Sequence, residues 1–462
     1  MHQIHSDDPD DRDFLEKLLV FLKKYQWLYK FRNVDIFVKN VLLNCPAEWL
    51  VYFKSLTVGE LHDLVNCVLK DSIPLDLKVF ITELQQFTTN KLIEVNTSSF
   101  ITENLVSPRS FGINPKKIHE ITKLAPVINE VCLESGCDLI IDVGSGVGYL
   151  SHLLCINFGY PVLALEASKK LVETARTIQE KQHPDCKFRV IFSEMFVDQS
   201  SANAIENLIQ KHFNQTQKVC LIGLHACGDL SVEILKLFLK LCRAQAIVIM
   251  PCCYHRMSFA SEEGLIKRFK GFPLSREGDL LFQKHDGFSF ANQQFLRLAC
   301  QRTVKSFTKM TKEEHKRHAE QCVHRALLEL VASSENCAVQ RLKRKSGKSN
   351  ATDSDKGFED YLNNLGNTHE LVGETTGKRI NVTDEAFLLK MHEKWNVHKN
   401  DCWHVEVLMG LQAAIQGICE NVILLDRVTF LKEKGLHCYK RKITNDSVSP
   451  RCWALISKKN DV

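Results

Sequence analysis

The apolar positions along this chain change their spacing more than once. From about residue 12 to residue 95 they recur at helical spacing, as at Phe14, Leu18 and Leu22, which predicts an all-helical N-terminal region. Short apolar runs then alternate with helical segments, and strands separated by helices indicate right-handed crossovers in a parallel sheet. The runs predicted as the first five strands are residues 139–143, 161–166, 188–192, 219–224 and 246–250.

The regular pattern breaks after the fifth run and returns near the end of the chain. The charged stretch 258–400 is predicted to be mostly helical, with a flexible, solvated basic loop near 341–357. Farther on, residues 420–435 have a helical pattern, and two further runs, 436–443 and 452–457, predict a terminal β-hairpin. The predicted parts are a helical N-terminal region, 1–117, a sheet domain, 118–257 plus 401–462, and a helical insertion, 258–400.

Composition narrows the class of protein. The 462 residues suffice for two or three domains, or for one α/β domain with large insertions. With 44% hydrophobic and 25% charged residues the chain has an ordinary globular composition, and its net charge of +5 allows a nucleic-acid substrate without requiring one. No apolar run reaches the roughly 18 residues of a membrane helix, and no signal-peptide core is visible. We therefore expect reduced cysteines, no membrane partner, and a cytoplasmic or nuclear location.

The first predicted strand ends in an acid that is followed by three alternating glycines. Glycines allow a tight turn and a close approach of the backbone to a ligand. Tyr149 stands where a dinucleotide-binding loop needs its last glycine, so adenosine without a pyrophosphate fits better. Glu166 ends the next apolar run, about 20 residues on, where a carboxylate accepts hydrogen bonds from ribose hydroxyls. The three glycines are Gly144, Gly146 and Gly148.

This two-part pattern resembles the S-adenosylmethionine-dependent methyltransferases of the Rossmann-like class. The resemblance implies an α/β sheet of seven strands, the last antiparallel, with S-adenosyl-L-methionine as the cofactor. It also implies that Asp142 helps to hold the methionine amino group and that Glu166 holds the ribose. Ser193 and Glu194, directly after the third run, are further candidates for cofactor contacts. The alternative is a structural glycine-rich turn in another kind of α/β protein.

Polar clusters follow the fourth and fifth runs. Residues 223–230 read Gly-Leu-His-Ala-Cys-Gly-Asp-Leu, and residues 251–255 read Pro-Cys-Cys-Tyr-His. Because ligands of open α/β sheets bind outside the carboxyl ends of the strands, both clusters are expected to border the methyl donor. Three further motifs are Lys-Lys-Ile-His-Glu at 116–120, Leu-Leu-Asp-Arg at 424–427 and Ser-Pro-Arg at 449–451. Together with these motifs, the two clusters look like the methyltransferase-like protein 25 family. A looser likeness to tRNA ribose 2′-O-methyltransferases implies RNA as the acceptor.

The residue types in these clusters indicate how a methyl acceptor would be activated. His225 is the best candidate for a general base, because an imidazole has an ordinary pKa near 6.5; the alternatives are a cofactor contact or a core histidine. Asp229 either orients His225 or caps the following helix. Tyr254 either stacks on a base or an adenine ring, or is a buried aromatic. The absence of an Asp/Asn-Pro-Pro-Tyr/Phe motif disfavours chemistry at adenine N6.

Zinc-ligand types also occur in the two clusters. Their spacing matches no regular zinc pattern, and adjacent cysteines seldom ligate one ion, so no metal is predicted. The sequence therefore predicts an S-adenosylmethionine-dependent methyltransferase that acts on RNA or protein. The alternative is a regulatory or scaffold protein that binds the cofactor without turnover. The zinc-ligand types are His225, Cys227, Cys252, Cys253 and His255.

Overall fold

A computed structural model describes residues 9–89, 113–213, 217–260, 267–342 and 357–459. The chain divides into two compact units. Unit 1 comprises Met1–Lys24, Thr88–Thr303 and Gln416–Val462, and unit 2 comprises Tyr25–Phe87 and Val304–Ile415. This division differs from the three predicted parts: residues 258–303 group with the sheet, and most of the N-terminal helical region groups with residues 304–415.

Seven strands of unit 1 form one sheet in the order β3-β2-β1-β4-β5-β10-β9. Strands β1 to β5 are parallel, while β10 is antiparallel to β5 and β9 is antiparallel to β10. This confirms the predicted Rossmann-like fold class with its terminal hairpin. The strands of the described residues are β1 (Leu139–Val143), β2 (Val162–Glu166), β3 (Val190–Glu194), β4 (Val219–Cys227), β5 (Ala244–Cys252), β6 (Cys337–Arg341), β7 (His369–Gly373), β8 (Arg379–Ile380), β9 (His437–Lys442) and β10 (Trp453–Lys458).

Helices account for most of the remaining described residues. The α-helices are α1 (Pro9–Lys24), α2 (Ala47–Ser55), α3 (Val58–Val65), α4 (Leu75–Thr89), α5 (Pro115–Ser135), α6 (Tyr149–Phe158), α7 (Lys169–Gln182), α8 (Ala202–His212), α9 (Leu230–Lys240), α10 (Arg276–Lys284), α11 (Gly287–Phe290), α12 (Gln293–Leu298), α13 (Val304–Phe307), α14 (Lys312–Ser334), α15 (Phe358–Asn363), α16 (Leu365–Thr368), α17 (Glu385–His398) and α18 (Cys402–Lys432). Short 3₁₀ helices lie at Gln26–Leu28, Asn33–Asp35, Val41–Asn44, Pro184–Cys186, Tyr254–Arg256 and Lys399–Asp401.

The central strands are buried on both faces, because helices cover the sheet on each side. Ile140 and Val248 belong to one apolar core, together with residues of α5, α6 and α7. Ile141 and Ile249 face the opposite core, together with residues of α8, α9 and the end of α18. Side chains alternate between faces along a strand, so these runs are apolar on both faces, apart from the acids near their carboxyl ends such as Asp142 in β1 and Glu166 in β2. The carboxyl ends of the strands are left as the edge where ligands bind.

Residues 258–303 group with the sheet because they are tied to the second half of α18. The buried carboxylate of Asp426 accepts hydrogen bonds from the backbone N–H groups of Leu274 (2.7 Å) and Ser275 (2.9 Å). It also accepts one from the Ser275 hydroxyl at 2.7 Å. These contacts join positions about 150 residues apart in sequence. These contacts explain why the segment groups with the sheet although it follows the fifth strand in sequence.

Unit 2 joins helices from two distant parts of the sequence. His62 on α3 and His315 on α14 place their Nε2 atoms 2.9 Å apart. The buried carboxylate of Glu406 binds His315 and His318, with 2.6 Å between each Nδ1 and its carboxylate oxygen. Unit 2 also holds an antiparallel sheet in the order β6-β7-β8, within the region that was predicted to be mostly helical.

Among the described residues, one helical stretch, Glu385–Lys432, is long and apolar enough to cross a membrane, and its most apolar window has a mean hydropathy of 1.5. However, 94% of its most apolar window is buried inside the protein. The continuous helix is longer than the predicted 420–435 because buried polar residues such as Gln412 and Gln416 interrupt the apolar pattern without interrupting the helix. The predicted basic loop lies largely outside the described residues, since 343–356 are not among them.

Candidate active site at the carboxyl ends of the strands

A cavity of about 440 Å³ opens at the carboxyl ends of the parallel strands. Volumes of a few hundred cubic ångströms are typical of sites for small molecules. Gly144 reaches the cavity from the end of β1, and Glu166 reaches it from β2. His225 and Cys227 line it from β4, and Phe196 lines it after β3. The structure therefore brings together predicted residues of the cofactor site and of the catalytic cluster.

The three glycines after β1 all have left-handed backbone angles, with φ of 73° at Gly144, 60° at Gly146 and 80° at Gly148. A Cβ atom at Gly148 would lie 2.4 Å from the ring of Phe192, so this glycine permits close packing. A Cβ atom at Gly146 would meet no atom within 4 Å. The space beside Gly146 is thus open, as a site for close backbone approach to a ligand requires.

Glu166 connects this glycine loop to β2. Its Oε2 accepts a hydrogen bond from the Gly146 backbone N–H at 3.0 Å, and its Oε1 accepts one from the Ser168 N–H at 2.9 Å. An ionised carboxylate has about four acceptor positions, so two remain for a ligand. Because the backbone bonds fix its orientation, Glu166 is a preorganised acceptor for hydroxyl groups on the cavity wall.

Asp142 lies beneath the loop and is 2% exposed. Its carboxylate accepts a hydrogen bond from the Ser151 hydroxyl at 2.6 Å. Burial raises its pKa to about 6, although this bond and the charge of Lys117 act in the opposite direction. Asp142 is not among the residues that line the cavity, so a direct contact with the cofactor stays a prediction.

The cavity wall beyond β3 differs from the predicted one. Ser193 and Glu194 are the last residues of the strand, and neither of them lines the cavity. The lining comes from the next three residues, Met195, Phe196 and Val197. Phe196 leaves 78% of its surface exposed. The sequence pointed to the last residues of the strand, whereas the residues that line the cavity come directly after the strand end.

His225 is held by Glu120, a carboxylate of the 116–120 motif that the sequence did not connect with it. Its Nε2 lies 3.0 Å from Oε2 of Glu120, a buried residue of α5. His225 has a φ of 65° at an irregularity in the pairing of β4 with β5, between Leu224 and Ala226. The other carboxylate oxygen of Glu120 accepts the Ser449 hydroxyl at 2.7 Å. His225 thus lines the cavity while its ring is oriented from behind.

The charge state of Glu120 follows from these partners. Burial raises its pKa, but the hydrogen bonds from His225 and Ser449, with the charges of His225 and Lys116, outweigh burial and lower the pKa to about 2. The carboxylate is therefore ionised at neutral pH. An ionised acceptor on Nε2 favours the imidazole tautomer that carries its proton there. Its other ring nitrogen, Nδ1, has no hydrogen-bond partner among the described residues.

Asp229 fills neither of its two predicted roles. It occupies the N-cap position of α9, but its side chain makes no capping hydrogen bond. Its carboxylate instead accepts hydrogen bonds from the backbone N–H (3.0 Å) and the hydroxyl (2.7 Å) of Ser258. The orienting carboxylate for His225 is Glu120, which is 105 positions away in sequence.

Comparison with known proteins agrees with this geometry. Residues 116–260 match a family model described as a methyltransferase domain. This part of the chain is therefore similar in sequence to a methyltransferase domain. It is 22% identical over 308 residues to mouse "Probable methyltransferase-like protein 25", a match that covers 65% of this chain and 47% of that protein. For the human protein of the same name, identity is 22% over 320 residues, covering 67% of this chain and 48% of the relative.

The chain thus spans about half the length of the curated relatives it matches. These matches confirm the resemblance to methyltransferase-like protein 25. Among solved structures, an O-methyltransferase from Bacillus cereus in complex with SAH matches 62% of this chain and 93% of its own, with 14% identity and a TM-score of 0.22. A TM-score of that size does not establish a shared fold.

Tyr254 is a buried aromatic rather than a stacking residue. It is 1% exposed, and its hydroxyl donates to Oε1 of Glu420 (3.2 Å) and to the Pro251 carbonyl oxygen (3.3 Å). The guanidinium carbon of Arg427 lies 5.6 Å from the ring centroid. The ring is therefore enclosed by the protein, which agrees with the buried aromatic of its two predicted roles and not with stacking on a base or an adenine.

Three cysteines at the ends of β4 and β5 converge beside the cavity. The Sγ atoms of Cys227, Cys252 and Cys253 all lie within 4.8 Å of one another, and those of Cys227 and Cys252 are 3.1 Å apart. The hydrogen bond from Cys252 lowers the pKa of the Cys227 thiol to about 6. His255 does not join this group, because its Nδ1 contacts Cys300 Sγ at 3.2 Å.

Proposed function

We propose that this chain is an S-adenosylmethionine-dependent methyltransferase in which His225 accepts a proton from the methyl acceptor. One observation carries the proposal: His225, held by buried Glu120, lines the same cavity as Gly144 and Glu166. A candidate base and candidate cofactor-binding residues thus line the same cavity. A location in the cytoplasm or nucleus, without a membrane partner, belongs to the same proposal.

The residues of the cavity fit an adenosine-containing cofactor. Glu166 has acceptor positions left for the two ribose hydroxyls after binding the backbone of Gly146 and Ser168. The open space beside Gly146 leaves room for close approach of the ligand. Phe196 offers an exposed ring at the cavity wall, which suits stacking on an adenine. When bound, the cofactor supplies a methyl group on a sulfonium centre.

His225 would act on the acceptor rather than on the cofactor. With Nε2 donating to ionised Glu120, Nδ1 is the basic nitrogen that takes the proton of an acceptor hydroxyl. The resulting imidazolium is stabilised by the Glu120 carboxylate, as a buried carboxylate does for a catalytic histidine. The acceptor oxygen then takes the methyl group. Much of the remaining rate enhancement would come from positioning the acceptor in line with the donor.

RNA is the acceptor class that we favour, with protein as the alternative. The likeness to tRNA ribose 2′-O-methyltransferases is one support, since a ribose hydroxyl needs a base of this kind. A second support is positive charge near the cavity: exposed Arg256 lines it, and Lys116 lies one turn from Glu120 on α5. Cationic side chains position nucleic acids through their phosphates.

Transfer of a tritiated methyl group to fractionated RNA and protein tests the proposal. His225→Ala is expected to reduce transfer by about 10²- to 10⁴-fold while leaving cofactor affinity within a few fold, because the base acts on the acceptor. Glu120→Gln should reduce transfer in the same direction. Glu130→Gln is the matched control: Glu130 lies on the same helix but pairs with Arg441 at 2.9 Å, so transfer should be unchanged.

Two outcomes would contradict the proposal. Unchanged transfer by folded His225→Ala would exclude the histidine as the base. Cofactor binding without transfer to any RNA or protein fraction would favour the alternative of a regulatory or scaffold protein on this fold. Transfer to protein alone would support the methyltransferase activity and would make protein, rather than RNA, the acceptor.

A further inference from the structure

The carboxyl ends of β4 and β5 carry three thiols that point toward one another. Cys227 ends β4, Cys252 ends β5, and Cys253 follows directly. Within the part of the chain that the structure describes, this is the one group of three or more potential metal ligands whose ligand atoms lie so close together. From this juxtaposition we propose that Cys227, Cys252 and Cys253 form a three-thiolate site for a zinc ion.

The backbone explains how adjacent cysteines reach one site. Successive side chains of an extended strand point to opposite faces, so Cys252 and Cys253 would ordinarily diverge. Cys253 instead has left-handed angles, with φ of 51° and ψ of 42°, which turn its side chain back toward its neighbour. Cys227 and Cys252 are register partners across the parallel pair. The sequence-based objection was that adjacent cysteines seldom ligate one ion, and the left-handed backbone at Cys253 provides a way for them to do so.

The spacing of the sulfurs suits zinc after a small adjustment. Zinc binds thiolates at about 2.3 Å, so two sulfurs of a tetrahedral site lie about 3.8 Å apart. All three Sγ atoms are within 4.8 Å of one another, and the closest pair, Cys227 and Cys252 at 3.1 Å, needs to separate by less than 1 Å. Small side-chain rotations supply such a change.

Charge and access also fit the proposed site. Three thiolates and one zinc ion leave a net charge of −1, and Arg451 places its Nη2 4.0 Å from Cys253 Sγ, where it offsets this charge. Cys227 lines the cavity, so the fourth coordination position would face the cavity and hold water or an acceptor atom. Zinc binding by the three thiolates would need no methyl donor, so the proposal stands or falls separately from the proposed function.

Metal analysis of the 462-residue chain tests the proposal. The protein is purified under reducing conditions, loaded with zinc, dialysed free of excess ion and analysed for bound zinc. Wild type is expected to retain one zinc ion per chain, and Cys227→Ser and Cys253→Ser are expected to lose it. Cys242→Ser is the matched control, because Cys242 is an exposed cysteine away from the cluster, and it should retain the ion.

Protection of the thiols gives a second measurement that needs no variant. In the wild type, zinc should slow alkylation of Cys227 and Cys253 by a maleimide, mapped by mass spectrometry, while exposed Cys242 reacts at the same rate with and without zinc. Equal labelling in the two conditions would overturn the proposal even if the serine variants fail to fold. Zinc retained by the folded Cys227→Ser and Cys253→Ser variants would overturn it as well.

Discussion

Two glycines of the loop after β1 are expected to respond differently to the same substitution. Gly146→Ala adds a methyl group that meets no atom within 4 Å, so its cost is that of a left-handed residue, about 1–2 kcal/mol. Gly148→Ala has this cost too, and its Cβ would lie 2.4 Å from the ring of Phe192. That ring is packed in the core, so overpacking adds about 1–3 kcal/mol.

The assay combines urea unfolding, followed by circular dichroism, with calorimetric titration of S-adenosylhomocysteine. Gly146→Ala should lose little stability but weaken ligand binding, because the methyl group fills the open space beside the loop. Gly148→Ala should lose roughly 2–5 kcal/mol of stability by the sum of the two effects. Gly417→Ala is the control: it too meets open space, but it lies within α18 at ordinary helical angles and should stabilise the chain by about 0.5–1 kcal/mol.

The double variant Gly148→Ala, Phe192→Leu separates strain from steric overlap. In the Gly148→Ala background, Phe192→Leu should recover part of the lost stability. In the Gly146→Ala background, the same replacement should recover none. Equal stability losses for Gly146→Ala and Gly148→Ala would refute the packing argument. Unchanged ligand affinity in folded Gly146→Ala would refute the interpretation of the open space as part of the binding site.

Three further substitutions test particular contacts. Burial raises the pKa of Asp142 to about 6, so the contribution of its carboxyl group to the free energy of unfolding is present below about pH 4 and lost as the pH rises through 6. Between about pH 4 and pH 7, Asp142→Asn should therefore gain stability relative to wild type, as measured by urea unfolding. A difference in stability between the two proteins that does not change with pH would contradict this. Glu406→Gln should cost about 3–5 kcal/mol in thermal unfolding, because it breaks a buried charged network; a loss below about 1 kcal/mol would disprove it. Tyr254→Phe should cost about 1 kcal/mol by losing its bond to Glu420 and leave methyl transfer unchanged, whereas impaired transfer with intact stability would restore its predicted role.

The sheet could be predicted because its signal is local. Each central strand is a short apolar run buried on both faces, and the glycine loop and Glu166 follow directly from the first two strands. The main error lay at the carboxyl ends, where β4 extends to Cys227 and β5 to Cys252. Residues assigned to loops after the strands therefore belong to the strands, and strand register brings the two cysteines together.

Partners distant in sequence could not be predicted. The sequence offered Asp229, near in the chain, either to orient His225 or to cap the following helix, yet Glu120 on α5 holds the ring, and Ser449 binds the other carboxylate oxygen of Glu120. No spacing rule connects these positions, since the fold alone brings them together. The convergence of the adjacent cysteines could not be predicted for a different reason. It depends on a left-handed backbone conformation at Cys253, which cysteine rarely adopts.

Calorimetric titration of the 462-residue chain with S-adenosylmethionine and its demethylated product tests the central claim most directly. We predict micromolar binding by the wild type. Glu166→Ala should weaken binding at least about tenfold, because it removes charge-assisted hydrogen bonds worth about 1.5–3 kcal/mol each. Glu173→Ala, an exposed carboxylate on the helix that follows β2, should bind like wild type. Absence of binding by the wild type, or equal affinity in folded Glu166→Ala, would contradict the assignment of this cavity to the methyl donor.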